Sequence, residues 1–441
     1  MQTLEQRLKK YTNNSQGIIR FVVGGYIILT ILATLIFALP FARTEPILLA
    51  DLIFMSSSIV STTGLVSVDF GNTFSFSGQI ISLVFIQLGG IGYMALASYI
   101  ILGSTKKIPK FSLKLLLVEF HLPNKYPLSE FLYSVAFYTL LIETIGAIVL
   151  YFNFKALGLE NPMWLGIFHS VSAFCTAGFS LFSTSFTEFG DNYTILNTIG
   201  VLSLLGSIGF IVFVDFKKYI LGQRKHITLT SKIILVSTFL ILLIGTFTIY
   251  LSEGNNITFI NAMFQSMTAH TTVGFNSIPL NNLPNGAILM MIILMIIGAS
   301  PSGTGGGVKT TSITALFGIV RSVLARSKYI MLSNVQLPAK RVLLAISTFI
   351  FYLVILVTAT FILFIIEGNR FNFASILFET TSALSTVGLS LGISSDLSDL
   401  SKILVSILMF IGRIGVITFG LALVHEAPIM RKSPREEDIA I

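Results

Sequence analysis

The chain has 441 residues, 54% of them hydrophobic and only 11% charged, and its mean hydropathy is +0.86. A soluble globular chain carries about 25% charged residues, so a water-soluble enzyme, a nucleic-acid reader and a disordered scaffold are poor fits. The formal net charge is +8, and the single cysteine, Cys175, allows neither a disulfide framework nor a Cys-rich metal site. The composition is that of an integral membrane protein.

A spanning helix needs about 20 apolar residues, because about 30 Å of hydrocarbon is crossed at about 1.5 Å per residue. In chain order, eight stretches meet that length: 18–42, 77–102, 128–153, 193–220, 231–252, 285–326 with an interruption after 299, 341–366 and 402–424. The first is too long for a signal-peptide core and has no small-residue cleavage site after it, so it is expected to be retained. Between the first and second, third and fourth, fifth and sixth, and seventh and eighth stretches lie shorter apolar segments, 51–60, 163–173, 259–269 and 372–382. These are too short to span and suit re-entrant helices.

Most of the 28 basic residues fall on one side of this arrangement, in the N-terminal arm, in 106–125, 217–232 and 321–341, and at the C-terminal end. The opposite side holds Arg43, Lys155, Arg370 and Lys402, while Lys309 and Arg413 sit inside apolar stretches. The positive-inside rule puts both termini in the cytoplasm of a multi-pass cell-membrane protein. The basic excess is topological, and no nucleic-acid partner is expected.

Aligned, the short segments read FMSSSIVSTTGL from Phe54, FHSVSAFCTAGF from Phe168, FQSMTAHTTVGF from Phe264 and FETTSALSTVGL from Phe378. Each has a glycine at the same place (Gly64, Gly178, Gly274, Gly388), with a threonine two residues before it and a hydroxyl residue eight before it. Four copies in register, each between two spans, make an internal repeat. The expected fold is an all-α integral membrane protein of four pseudo-repeats, each a helix, a pore half-helix, a filter loop and a helix. Its eight spans and four re-entrant helices surround a central ion pathway. The repeats are expected at 1–104, 105–222, 223–327 (with a broken inner helix) and 328–426, before a cytoplasmic tail at 427–441.

Backbone without helical hydrogen bonds is tolerated at membrane depth only where it lines water or is buried in protein. A half-helix entering from outside points its partly negative C-terminal end at the membrane centre. The glycine after it permits positive φ, so adjacent carbonyls can face one axis. A ring of such carbonyls replaces the hydration shell of an alkali cation. Glu379 is the only acid in the four half-helices apart from Asp51 at the entry of the first, which argues against an acidic Ca²⁺ filter.

On these residues the chain resembles the Trk/Ktr/HKT superfamily of potassium transporters, most nearly the KtrB-type membrane subunit of bacterial Ktr systems. The resemblance covers nearly the whole chain. It implies K⁺ as the transported ion and a filter of Thr62, Thr63 and Gly64; Thr176, Ala177 and Gly178; Thr272, Val273 and Gly274; and Thr386, Val387 and Gly388. Family members with serine at the first glycine tend to conduct Na⁺, so Gly64 implies a K⁺ preference. The resemblance further implies a homodimer on a cytosolic nucleotide-binding ring of the RCK type. No organic cofactor is expected on this chain, and Na⁺ is a candidate activator.

The sixth stretch reads IIGASPSGTGGGVKTTSIT from Ile296, too rich in glycine and proline for a continuous helix. A soluble phosphate loop needs a glycine directly before Lys309, where Val308 stands, and no βα unit surrounds it. An unwound segment here would lie in the water-filled pathway. The resemblance makes it a gating loop, with Gly303, Thr304, Gly305, Gly306 and Gly307 as its body and Lys309 at its inner end. Arg413, expected mid-span in the eighth stretch, faces a cavity or a partner. Two readings stand for it: an electrostatic element holding the gating loop, or a structural bond to another helix.

Glu143 offers either a proton or Na⁺ role or a helix-to-helix hydrogen bond. Glu379 is expected to bond free amides at the start of its half-helix, and His270 and Cys175 are expected to be packed residues. Three glycine runs in the inner spans, 89–92, 206–209 and 412–415, are explained by close helix approach, with a hinge near the pathway as the lesser alternative. A H⁺- or Na⁺-coupled secondary transporter using Glu143, and a non-transporting membrane receptor, are the rival functions. The fourfold glycine turn argues against both.

Overall fold

The computed structural model describes residues 15–92, 128–327, 329–332 and 335–424. Four times along the chain a long helix is followed by a short helix, a glycine turn and a third helix. The first set is α1 (Ser15–Phe37), α2 (Leu49–Val60) and α3 (Phe76–Ile91). The second is α4 (Leu128–Ala156), α5 (Pro162–Phe174) and α6 (Tyr193–Ile208), continued by α7 (Phe210–Ile220). The third is α8 (Leu229–Glu253), α9 (Phe259–Thr271), α10 (Asn285–Ile296) and α11 (Thr310–Leu324). The fourth is α12 (Ala339–Glu367), α13 (Phe373–Leu384), α14 (Asp399–Ile414) and α15 (Val416–Leu423). A two-residue hairpin, β1 (Met331–Leu332) against β2 (Val335–Gln336), joins the last two sets.

Among the described residues α1, α4, α8 and α12 are long and apolar enough to cross a membrane by themselves, and two bent pairs qualify if each counts as one span. Their outward faces carry bare hydrocarbon: Ile28, Leu140, Phe239 and Val357 are each more than 60% exposed. Apolar surface on that scale is unusual in a monomeric soluble protein and costs nothing against lipid. The short helices are the opposite case and lie almost wholly inside. Thr258 and Asn372 cap α9 and α13 by accepting from the amides of Asn261 and Ser375, and Pro162 opens α5 where a missing N–H costs nothing. The four aligned phenylalanines, Phe54, Phe168, Phe264 and Phe378, are buried anchors of these helices.

Three expectations need correction. The first stretch ends as a helix at Phe37 rather than 42, because Pro40 opens a 3₁₀ turn. The stretches 193–220 and 402–424 are not continuous helices. They bend by 88° and 99° at Gly209 and Gly415. These glycines have φ of 93° and 90°, and Gly92 ends α3 with φ 96°; only glycine adopts such values without strain. Three third helices are therefore interrupted where one interruption was expected, and α3 ends at Ile91 with Gly92 after it. The remainder of the 77–102 stretch beyond 92, and the basic loop 103–126, lie outside the described residues, as do the N-terminal arm and the 427–441 tail.

Candidate functional site

The site begins at the C-terminal ends of the short helices. In each, the threonine two residues before the glycine takes a left-handed conformation: Thr62 (φ 51°), Thr176 (50°), Thr272 (60°) and Thr386 (50°). A β-branched residue at positive φ is a genuine outlier, and four equivalent ones mark strain held by the surrounding structure. The next amide folds back: Thr63, Ala177, Val273 and Val387 donate to the carbonyls of Ser58, Ser172, Thr268 and Ser382, at 2.8–3.2 Å. The glycine then follows at positive φ, from 68° at Gly178 to 94° at Gly388. With the amides turned inward to the helix, the carbonyls of the turn are left free.

These turns close into a ring. A Cβ built on Gly64 would lie 2.6 Å from the Ala177 carbonyl oxygen and 3.0 Å from Gly178 Cα. The same construction on Gly178 meets the Val273 oxygen, on Gly274 the Val387 oxygen, and on Gly388 the Thr63 oxygen. Each quarter thus touches the next, and the fourth touches the first. All twelve of the residues singled out in the four turns come together, and all but the half-exposed Gly178 and Gly388 are buried.

Directly against this ring lies the segment between α10 and α11. Its limbs pair as a narrow hairpin, Ala299 N to Gly306 O at 3.1 Å and Val308 N to Ile296 O at 3.0 Å. Three of its contacts reach the threonine layer: Thr176 Oγ1 donates to Thr304 Oγ1 (3.1 Å), Gly306 N donates to Thr272 Oγ1 (3.0 Å), and Gly306 leaves no room for a Cβ beside Thr386 Oγ1. The fourth threonine, Thr62, accepts from Arg413 Nη1 at 3.0 Å. Arg413 also donates to the carbonyls of Thr304, Gly89 and Gly90. Lys309 Nζ reaches back to Gly305 O at 2.6 Å. Both charges are spent on backbone carbonyls that a helix or hairpin would otherwise leave open. Arg413 stands in the last turn of α14, not mid-helix, where a cation also suits the helix dipole.

The glycine runs turn out to have two jobs. Gly89, Gly206 and Gly412 each lie against the last carbonyl of a short helix, that of Val60, Phe174 and Leu384 respectively. In the third set the equivalent carbonyl, Thr271 O, is faced by Gly305 of the hairpin, 2.8 Å from a built Cβ. The last glycine of each run ends its helix, and after Gly209 and Gly415 a second helix continues at a bend. At the α6–α7 break the freed groups are taken up by the hairpin. Ser207 O and Gly206 O accept from Ser300 N and Thr304 N at 3.1 Å, and Phe210 N donates to Ser302 O and Ile211 N to Ser302 Oγ at 3.2 Å. Ser302 was not singled out from sequence, since nothing there ties it to Gly209. Beyond the hairpin is a cavity of about 620 Å³, bounded by Tyr26, Asp215, Lys309, Tyr352 and Arg413 among others.

The remaining singled-out residues sort by their partners. Both Glu143 carboxylate oxygens accept from Gln87 Nε2 at 2.7 Å, and Cys175 Sγ lies 3.7 Å away, so Glu143 makes a bond between helices. His270 Nδ1 bonds Ile297 O at 2.7 Å, closing the carbonyl freed where α10 ends. Cys175 is buried. Glu379 differs from expectation: it accepts from Ser390 and Ser394 in the segment after the fourth turn, not from amides at the start of α13. Those hydroxyls are brought to it by the turn, and the caps of α13 are already supplied by Asn372. Lys402 and Asp51 form a buried ion pair at 2.6 Å between the fourth and first sets. Among the described residues no cluster of His, Cys, Asp or Glu could hold a metal ion.

The sequence profile of the TrkH family, described as cation transport protein, matches residues 22–432. The chain is 29% identical over 428 residues to the Ktr system potassium uptake protein B of Vibrio alginolyticus, covering 95% of this chain and 93% of that protein. It is 33% identical over 386 residues to the Ktr system potassium uptake protein D of Bacillus subtilis, covering 84% of each. It is 29% identical over 434 residues to the potassium/sodium uptake protein NtpJ of Enterococcus hirae, covering 95% of this chain and 96% of that protein. The crystal structure of the potassium transporter TrkH from Vibrio parahaemolyticus matches at TM-score 0.73 and 20% identity, covering 93% of this chain and 85% of that one. At that identity the match speaks for the fold.

Proposed function

We propose that this chain, which belongs to the TrkH family of cation transport proteins, is the membrane subunit of a potassium-uptake system. On this reading K⁺ passes through the ring of turn carbonyls around Gly64, Gly178, Gly274 and Gly388. The observation that carries the reading is the closed contact of each turn glycine with the carbonyl of the next quarter. Four carbonyl-lined turns at the C-terminal ends of four buried helices offer an alkali cation both oxygen ligands and a favourable dipole field. The four short helices are re-entrant, and the long and third helices make eight spans with both termini in the cytoplasm.

The 303–307 hairpin is the gate in its closed position, held by Arg413 and Lys309. Its release needs a differential push, since a bistable element shifts only by the difference in affinity of whatever binds it. The Ktr relatives are named as parts of a system, which supports a partner subunit. A homodimer seated on a cytosolic nucleotide-binding ring of the RCK type is the assembly we propose, with Na⁺ a candidate activator and no organic cofactor on this chain.

The NtpJ relative is named for both potassium and sodium, so selectivity is the quantity to measure. K⁺ and Na⁺ fluxes are compared in proteoliposomes for the parent chain and for Gly64→Ser, each with and without the ring subunit. At φ 89° any side chain is strained, and its Cβ would press on the Ala177 carbonyl. The parent is expected to prefer K⁺, and Gly64→Ser to lower the K⁺:Na⁺ flux ratio about tenfold. An unchanged ratio would show that the ring does not select the ion.

A further inference from the structure

Nine residues before each turn glycine stands a residue with no common chemistry: Met55, His169, Gln265 and Glu379. No sequence pattern joins them, yet all four are fully buried or nearly so and do the same thing. Each reaches across to the segment that leaves the turn just after the glycine. Met55 Sδ accepts from Ser67 N at 3.4 Å. His169 Nε2 accepts from Leu181 N at 3.2 Å and lies 3.2 Å from Ser180 Oγ. Gln265 Nε2 donates to Ser277 Oγ at 3.3 Å. Glu379 Oε2 accepts from Ser390 Oγ at 2.7 Å and Oε1 from Ser394 Oγ.

These exit segments are not held by backbone amides of their own. None of the amides of 65–68, 179–184, 275–279 and 389–392 donates to another backbone group. The glycine amides themselves are caught lower down in two quarters, by Ser58 Oγ and Ser382 Oγ, at 3.1 Å each. Each turn is thus fixed on its inner side by the short helix and on its outer side by the residue nine back, joined in the second quarter by Ser172 Oγ donating to Phe179 O at 2.8 Å and in the third by Phe186 N donating to Asn276 O at 3.0 Å.

We propose that these four side chains are the outer braces of the filter turns, and that Glu379 is a positioning residue for ion selection. The inference rests on the filter reading above. The braces are unequal by chemistry. A thioether is a weak acceptor, whereas a carboxylate receiving two hydroxyls makes bonds about twice as strong as neutral ones. The fourth turn is therefore the stiffest and the first the loosest. On this proposal discrimination comes from holding the carbonyls at a set spacing, to which the stiffest quarter contributes most.

The test uses the full chain in proteoliposomes and reads the K⁺:Na⁺ flux ratio, which is independent of the amount of folded protein, together with half-saturating K⁺ and maximal flux. Glu379→Ala, and the pair Ser390→Ala with Ser394→Ala that removes the same bonds from the loop side, are expected to lower the ratio about tenfold. Maximal K⁺ flux should be largely kept. Glu379→Gln keeps a group that can both donate to and accept from the two serines, and it should restore the ratio to within about twofold of the parent. If Glu379→Gln falls as far as Glu379→Ala, charge rather than bracing is at work and the proposal is overturned. If Glu379→Ala holds its ratio while Gly64→Ser loses it, the brace is wrong and the filter reading stands. If neither variant moves the ratio, or the parent itself does not discriminate, both readings fall.

Discussion

At the residue scale the most connected side chain is Arg413. It donates to Thr62 in the ring, to Thr304 in the hairpin and to Gly89 and Gly90 on α3. One guanidinium therefore joins three elements that are far apart in sequence. Its five N–H groups in a fixed fork suit this better than an ammonium could. Removing it takes away one of the hairpin's holds on the ring and leaves buried carbonyls unpaired. A hydrogen bond to a charged group contributes about 1.5–3 kcal/mol, which on the proposed gating role shifts the hairpin toward an open position by about tenfold or more. Arg413→Ala is expected to raise K⁺ flux measured without any partner subunit, and Arg413→Lys to raise it less. Flux that stays at the parent level in Arg413→Ala would mean the hairpin is held by its remaining bonds to the threonine layer and to α6 and α7.

Gln87, Glu143 and Cys175 illustrate what a side chain's identity cannot say. An acid in the middle of an apolar stretch is a functional candidate by default. Only its neighbours decide, and here the amide of Gln87 occupies both oxygens. Cys175 in turn lies close against Gly90, whose carbonyl Arg413 holds. The acid thus packs behind the ring as part of its support.

At the element scale the decisive feature is that the third helices break. A helix end leaves amides and carbonyls without partners, and the α6–α7 break supplies them to the hairpin through Ser300, Ser302 and Thr304. Gly209 makes this possible. Its φ is 93° with ψ 146°, and a Cβ there would strike Pro301 O, with Gly303 N and Ser302 Oγ 3.1 Å away. Gly209→Ala should cost about 1–3 kcal/mol from the backbone alone, seen as a lower unfolding temperature in detergent. It should also loosen the hairpin and raise basal flux. Gly222→Ala is the control, since its φ is 68° but nothing lies within 4 Å of the added methyl. It should lose some stability and leave flux unchanged. Equal flux in both variants would sever the hairpin from the break.

At the scale of the whole molecule the ring must be closed between the first and last quarters, which the chain does not join. Asp51 at the start of α2 and Lys402 near the start of α14 form a 2.6 Å ion pair, each side chain 8% exposed. Breaking a buried pair by removing one partner costs about 3–5 kcal/mol, because the other charge is left buried alone, while replacing both by apolar groups is often neutral. Asp51→Asn is expected to lower thermal stability in detergent by that order, and Asp51→Leu with Lys402→Met to recover most of it. Equal losses in the single and double variants would show that packing, not charge pairing, seals this seam.

The sequence by itself determined the class and the plan. Hydropathy runs long enough to match a bilayer and four copies of a Phe–Thr–Gly segment are both written in local order, so composition and spacing suffice to read them. The twelve turn residues were legible for the same reason: a turn at positive φ demands glycine, and the demand repeats. The unwound segment between α10 and α11 was legible because glycine and proline cannot continue a helix. The tertiary structure decided what depends on contact across the chain. It set which groups fill the broken helix ends, where Arg413 and Glu379 find partners, and which four unlike residues reach the segments after the turns. Those positions carry no shared residue type, because a hydrogen bond can be made by a thioether, an imidazole, an amide or a carboxylate alike. Periodicity sees repeated chemistry, whereas the fold repeats geometry.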